Sequence, residues 1–142
     1  MDKIVVDANV AIKWFVTEPL SAQARKILDG YESDALVLYA PDLIDAEVGN
    51  VVWKKHRFQG LTLDDAQQVI DEFRKLTIAL TPTGELLNEA FHLAIAHGRT
   101  VYDSLYLALS LREQCPYITA DEKLANALRA NFPNVIWLGD WA

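Results

Sequence analysis

Four carboxylates stand out by where they fall along the chain. Asp7 directly follows the apolar run Ile4 to Val6, and Asp121 comes two residues after Thr119, which closes the run Tyr117 to Thr119. Asp103 opens a segment containing Leu105, Leu107, Leu109 and Leu111, where the free N–H groups and dipole of a helix start stabilise negative charge. Each of these three has a purely structural role available, since Asp is a preferred residue at helix caps and in turns. Glu47 has no cap to make, because helical spacing sets it between Ile44 and Val51 on the stripe that also holds Val48 and Val52. Its structural alternative is a salt bridge to a Lys or Arg, or a place at the margin of the stripe.

If the four meet, two carboxylates about 5 Å apart repel by roughly 3 kcal/mol at an effective dielectric near 20, and four multiply the pairs. A divalent cation offsets that repulsion, and an all-oxygen set of Asp, Glu and water suits Mg²⁺ or Mn²⁺. Zinc chemistry is not suggested: His56, His92 and His97 lack the H-E-x-x-H spacing, and Cys115 is the one cysteine. No G-x-G-x-x-G, G-x-x-x-x-G-K-[ST] or G-x-S-x-G string occurs, which sets aside dinucleotide, P-loop and hydrolase-elbow readings. Acidic residues around Mg²⁺ activate water and stabilise the charge of a phosphodiester under in-line attack. Metal-dependent phosphodiester hydrolysis is the chemistry this set suggests.

The elements that must position these residues are legible from periodicity and punctuation. Short strands are expected at Ile4–Val6, Leu36–Tyr39, Thr77–Leu80, Tyr117–Thr119 and Val135–Leu138. Between them, helices are expected over Val10–Val16, from a Ser21 cap to Gly30, and from an Asp42 cap through Leu43–Arg57. Further helices run from a Thr62 and Asp65 capping box through Lys75, over Glu85–Ala96, from Asp103 to before Pro116, and over Glu122–Ala130. Short apolar strands separated by helices indicate an α/β fold with a parallel sheet between helical layers, whose ligands collect beyond the carboxyl ends of the strands.

Composition bounds the rest. The chain has 142 residues, 51% hydrophobic and 23% charged, as expected for one folded domain spanning 1–142. With 13 Lys and Arg against 20 Asp and Glu, the net charge is −7, so any contact with nucleic acid must be local. The longest apolar run, Ala35 to Ala40, falls far short of the roughly 20 residues of a membrane span. The acidic start MDKIVVDANV does not resemble a secretory signal, and a single cysteine suits a reducing, cytoplasmic setting. Cys115 itself reads as a small buried hydrophobe.

Taken together the motifs resemble the PIN-domain ribonucleases, and within them the VapC-type toxins of prokaryotic toxin–antitoxin pairs. In VVDANV, Asp7 is similar to the family's first acidic residue and Asn9 to its small polar neighbour; PDLIDAEVGNVV supplies Glu47, with Asn50 one turn on. TVYDSLYLALSL supplies Asp103, and YITADEKLANAL supplies Asp121 with Thr119 beside it. The resemblance implies a central parallel sheet of about five strands and Mg²⁺- or Mn²⁺-dependent cleavage of RNA. Asp7 and Asp103 would be the principal metal ligands, Glu47 and Asp121 would complete the acidic pocket, and Asn9 and Thr119 would support it. A homodimer and a small cognate antitoxin covering the site are implied as partners.

The run Lys54, Lys55, His56, Arg57 at the end of the Glu47 helix could guide a phosphate backbone, or could simply place positive charge at a helix C-terminus. Arg99 and Lys123 flank the third and fourth motifs and are similar candidates. Trp14 and Phe15 read as core, with a share in an antitoxin or dimer interface under the resemblance. Two rival readings are a non-catalytic scaffold of the same fold and a phosphatase or receiver domain using Asp7 as nucleophile. The second would want an Asp where Asn9 stands, or a Lys where Leu138 and Gly139 stand.

Overall fold

A computed structural model describes residues 1–142. Five parallel strands form one sheet: β1 (Asp2–Val6), β2 (Leu36–Pro41), β3 (Ala79–Thr81), β4 (Tyr117–Thr119) and β5 (Val135–Trp137), in the order β3-β2-β1-β4-β5. Helices connect them: α1 (Ala8–Ile12) and α2 (Ser21–Glu32), then α3 (Leu43–Phe58) and α4 (Leu63–Arg74). After β3 come α5 (Thr83–His97) and α6 (Val101–Glu113), and α7 (Glu122–Leu128) joins β4 to β5. The α/β expectation holds.

Strand β1 lies at the centre, with Ile4 opposite Leu38 of β2, and Val5 and Val6 opposite Tyr117 and Ile118 of β4. Ile4, Val5 and Val6 are all buried, which is why this strand reads as a continuous apolar run and not as an alternation. Strand order reverses between β1 and β4, the switch point at which open α/β sheets leave a crevice for ligands. Helix α6 packs so deeply that every residue from Ser104 to Ser110 is buried.

Several boundaries differ from expectation, each for a local reason. Beyond Ile12 the chain tightens into i→i−3 bonds, Lys13 to Val10, Trp14 to Ala11 and Phe15 to Ile12, so α1 is shorter than expected. That tightening leaves Trp14 buried, with its Nε1 donating to the Ala24 carbonyl at 2.8 Å. Ser21 does not cap α2: its hydroxyl accepts from Glu18 N and donates to the Val16 carbonyl, while Leu20 takes the cap position at φ 70°. The helix also continues past Gly30 to Glu32.

The Asp42 side chain likewise makes no cap bond to its own helix; its Oδ1 accepts from Thr83 N at 3.0 Å and tethers the start of α5. Strand β3 is displaced toward Thr81, because Tyr39, Ala40 and Pro41 pair with Ala79, Leu80 and Thr81, while Thr77 N donates to the Tyr31 hydroxyl. Thr62 caps α4 as expected, accepting from Asp65 N, and Gly98 closes α5 at φ 64°. Helix α7 ends at Leu128, and Leu138 leaves β5 to open a 3-10 turn.

Candidate active site at the carboxyl edge of the sheet

Asp7 leaves the end of β1 directly into α1. Its Oδ1 accepts from Val10 N at 3.0 Å, capping α1, and its Oδ2 accepts from the Thr119 hydroxyl at 2.8 Å. The same Thr119 oxygen accepts from Asp121 N at 3.1 Å, and Asp121 Oδ1 in turn accepts from Leu124 N at 3.1 Å as the cap of α7. Capping and site membership therefore coexist at Asp7 and Asp121, because a capping carboxylate at a strand end sits at the ligand edge. Thr119 is fully buried and ties the ends of β1 and β4 together through side chains, across the switch point.

Asp103 is not a cap. Thr100 takes that position, its hydroxyl accepting from Asp103 N, and Asp103 lies half-buried in the first turn of α6. Glu47, half-buried on α3, has no Lys or Arg partner; its Oε1 accepts from the Tyr106 hydroxyl at 2.5 Å. Tyr106 stands three residues beyond Asp103, so both fall on one side of α6. Its buried ring stacks on Tyr117 with centroids 5.8 Å apart and planes at 11°.

The electrostatics show which carboxylates share a neighbourhood. Burial pushes Asp7 up to about 6 from 3.8, the negative charges of Glu47 and Asp103 add to the rise, and the hydrogen bonds from Thr119 and Val10 oppose it. Burial also raises Glu47, with Asp103 adding and the Tyr106 hydroxyl opposing. Asp103 rises through burial and the charge of Asp121, against Thr100 and the guanidinium of Arg99. Tyr106 and Tyr117, buried beside these charges, are pushed far above the ordinary phenol range, so the Tyr106 hydroxyl serves as a donor at all working pH.

The expected set is thus brought to one edge of the sheet, with Asp7, Glu47 and Asp103 in mutual electrostatic reach and Asp121 linked through Asp103 and Thr119. Asn9 lies beside them, exposed on α1. No group of three or more His, Cys, Asp or Glu side chains is disposed to hold a metal ion as the side chains stand. The donor chemistry nevertheless fits a hard divalent cation: anionic oxygens that destabilise one another, with no histidine or thiol among them. Two residues of this neighbourhood escaped the sequence reading, Tyr106 and Tyr117. The signal for Tyr106 was its i+3 spacing from Asp103.

The other candidates sort clearly. Of the basic run, Lys55 is turned toward Glu18, which it meets at 2.8 Å and which Lys13 also meets at 2.9 Å. Lys54 and Arg57 are exposed, and His56 Nδ1 lies 2.8 Å from the Leu61 carbonyl oxygen. His92 is exposed, His97 packs edge-on against Phe132, and Cys115 is buried. Arg99 holds a buried Nε with no hydrogen-bond partner, and Lys123 is exposed. A cleft of about 540 Å³ between the turn that follows α1 and helix α4, lined by Trp14, Phe15, Leu61 and Val69, contains none of the four carboxylates.

Comparison with known proteins agrees with this fold. The PIN domain family matches residues 4–129. The chain is 36% identical over 130 residues to Ribonuclease VapC3 of Pyrobaculum aerophilum, covering 90% of this chain and 96% of that protein. A crystal structure of a protein from Pyrobaculum aerophilum superposes with a TM-score of 0.68 at 20% identity, covering 97% of this chain and 90% of that one. A toxin–antitoxin complex from Klebsiella pneumoniae contains a chain with a TM-score of 0.59 at 17% identity, covering 94% and 95%. The match over residues 4–129 makes this chain a member of the PIN-domain family, and its identity to VapC3 sets it among the VapC ribonucleases. No helix is long and apolar enough to cross a membrane.

Proposed function

We propose that residues 1–142 form one PIN domain that acts as a Mg²⁺- or Mn²⁺-dependent endoribonuclease, the toxin of a type II toxin–antitoxin pair. The observation that carries the reading is the convergence of Asp7, Glu47 and Asp103 at the switch point, where Glu47 and Asp103 add to the rise at Asp7 and Asp103 adds to the rise at Glu47. Protein that buries acids against one another without a compensating cation loses stability by doing so, and such arrangements mark functional sites.

Asp7 and Asp103 would hold the cation, with Glu47 and Asp121 completing the pocket. The cation, when bound, supplies positive charge against the scissile phosphate and acidity to water. The chain's own contribution is placement. Val10 N and the Thr119 hydroxyl fix both oxygens of Asp7, so this carboxylate cannot rotate away. Tyr106 takes Glu47 Oε1 and leaves Oε2 for the pocket. Thr119 sets the spacing between Asp7 and Asp121, and Asn9 stands exposed at the rim to meet RNA.

A cognate antitoxin is the partner suggested by the Klebsiella pneumoniae complex, and the cleft between the turn after α1 and α4, with Trp14 and Phe15, offers it a partly apolar seat. A homodimer would cover Leu87, Phe91 and Ile95, exposed at 54%, 49% and 71% along one stripe of α5.

The test is incubation of antitoxin-free protein with total cellular RNA in Mg²⁺ or Mn²⁺ and in EDTA, alongside folded Asp7→Asn and Asp103→Asn. Discrete cleavage that needs the cation and falls at least 100-fold in both variants is the expected result. Cleavage indifferent to EDTA or to the variants would overturn it, as would absence of both cleavage and Mn²⁺ binding, which would favour the scaffold reading.

A further inference from the structure

Two observations on α3 are not absorbed by the site above. Trp53 and Phe58 are exposed at 53% and 69% in the last turns of α3, their rings in edge-to-face contact at 5.9 Å, beyond the stretch where Ile44, Val48 and Val52 are buried. Exposed aromatic pairs of this size mark interaction surfaces. The cations of the same turns, Lys54 and Arg57, are exposed as well, and the Arg57 guanidinium lies over the Phe58 ring at 5.4 Å from its centroid.

Favourable charge at a helix C-terminus accounts for the cations but not for the rings. Helical phase then links Lys54 and Phe58 to Glu47, while Arg57 and Trp53 lie about 80° and 120° round the helix on the adjoining flank. At about 100° per residue, Lys54 falls within about 20° of Glu47 on one side and Phe58 within about 20° on the other, roughly 10 Å and 16 Å further along the axis. Exposed Asn50 bridges the interval. Lys55, the cation of the run that points elsewhere, is the one already paired with Glu18.

We propose that the exposed C-terminal turns of α3 are a single-stranded RNA track leading along the helix to Glu47, with Lys54 and Arg57 meeting phosphates and Trp53 and Phe58 stacking on unpaired bases. It rests on the nuclease reading and adds to it where the strand lies. On a chain of net charge −7, a patch combining cations with open aromatic faces is complementary to a flexible polyanion whose bases are free. A purely apolar protein partner would have no use for Lys54 and Arg57 beside the rings.

The test uses the full chain in EDTA and a fluorescein-labelled 15-nucleotide oligouridylate, followed by anisotropy across a salt series. Trp53→Ala and Phe58→Ala are each expected to weaken binding by roughly tenfold with the salt slope unchanged. Lys54→Gln with Arg57→Gln is expected to flatten the logarithmic salt slope by about 1.4, two phosphate contacts at about 0.7 each. All four side chains are exposed, and unchanged thermal unfolding verifies the variants. A parent chain that cleaves cellular RNA with Mn²⁺ but does not bind the oligouridylate, or variants that bind it like the parent, would overturn the track and leave the nuclease reading standing. The track would also fall if Trp53→Ala and Phe58→Ala altered the sedimentation of the protein but not RNA binding, which would make the patch a protein interface. A parent that neither binds nor cleaves RNA overturns both.

Discussion

Tyr106 donates its hydroxyl hydrogen to Glu47 Oε1 across 2.5 Å, joining the helix that supplies Asp103 to the helix that supplies Glu47. The ring is buried and stacked on Tyr117, so the donor has little freedom to follow a carboxylate that moves. Tyr106→Phe keeps the stack and removes only the donor. We expect it to fold, to lose about 1–2 kcal/mol in urea unfolding, and to need several-fold more Mn²⁺ for half-maximal cleavage. An unchanged Mn²⁺ requirement would show that Glu47 is held by something else.

The raised proton affinity of Asp7 fixes a sign for stability. Between pH of about 4 and about 6 the folded chain holds this proton and the unfolded chain has lost it. Its share of stability is therefore complete below about pH 4 and disappears as pH rises through about 6. At neutral pH without a divalent cation the ionised, buried carboxylate costs about 3 kcal/mol. Asp7→Asn should thus be more stable than the parent at pH 7.5 in EDTA, and close to it at pH 4.5. Equal stabilities at both values would contradict the burial of this charge.

Thr119 acts as both donor and acceptor, to Asp7 Oδ2 and from Asp121 N. Thr119→Val retains shape and leaves two polar groups without their partner, which should cost about 1–3 kcal/mol and reduce cleavage at least tenfold. Thr119→Ser keeps the hydroxyl and should restore most of the activity. Failure of Ser to rescue would assign the effect to packing.

Arg99 supplies the positive charge that opposes the rise at Asp103, and its Nε is buried without a partner. Arg99→Met removes a cation from beside the acids and an unsatisfied donor from the interior. Stability should change by less than about 1 kcal/mol, while Mn²⁺ should bind more tightly, since one repelling charge is gone. Weaker Mn²⁺ binding in a titration calorimeter would reverse this assignment.

Much of this architecture is legible in the residues themselves. The apolar run Ile4 to Val6 followed by Asp7, and Tyr117 to Thr119 followed by Asp121, announce strands whose ends carry acids, and β1 and β4 lie side by side in the sheet. Glu47 is readable because helical phase leaves it on an apolar stripe. Tyr106 is hidden for the opposite reason: the middle of α6 is buried all round, so no polar face exists to mark the one hydroxyl with a task. Capping is misread where a side chain has a better distant partner, as Asp42 has in Thr83 N and Ser21 in Val16 and Glu18. The displacement of β3 depends on pairing with Tyr39 to Pro41, which no local pattern encodes.

The hydrogen bond between Thr119 and Asp7 joins residues 112 positions apart. A chain still emerging from the ribosome has β1 exposed and Asp7 in solvent, but no β4 beside it and neither Thr119 nor Asp121 in place. The acidic edge is finished only when nearly the whole polypeptide has been made. A prematurely terminated copy lacking β4 leaves the central strand with one open flank and neither Thr119 nor Asp121 at its edge.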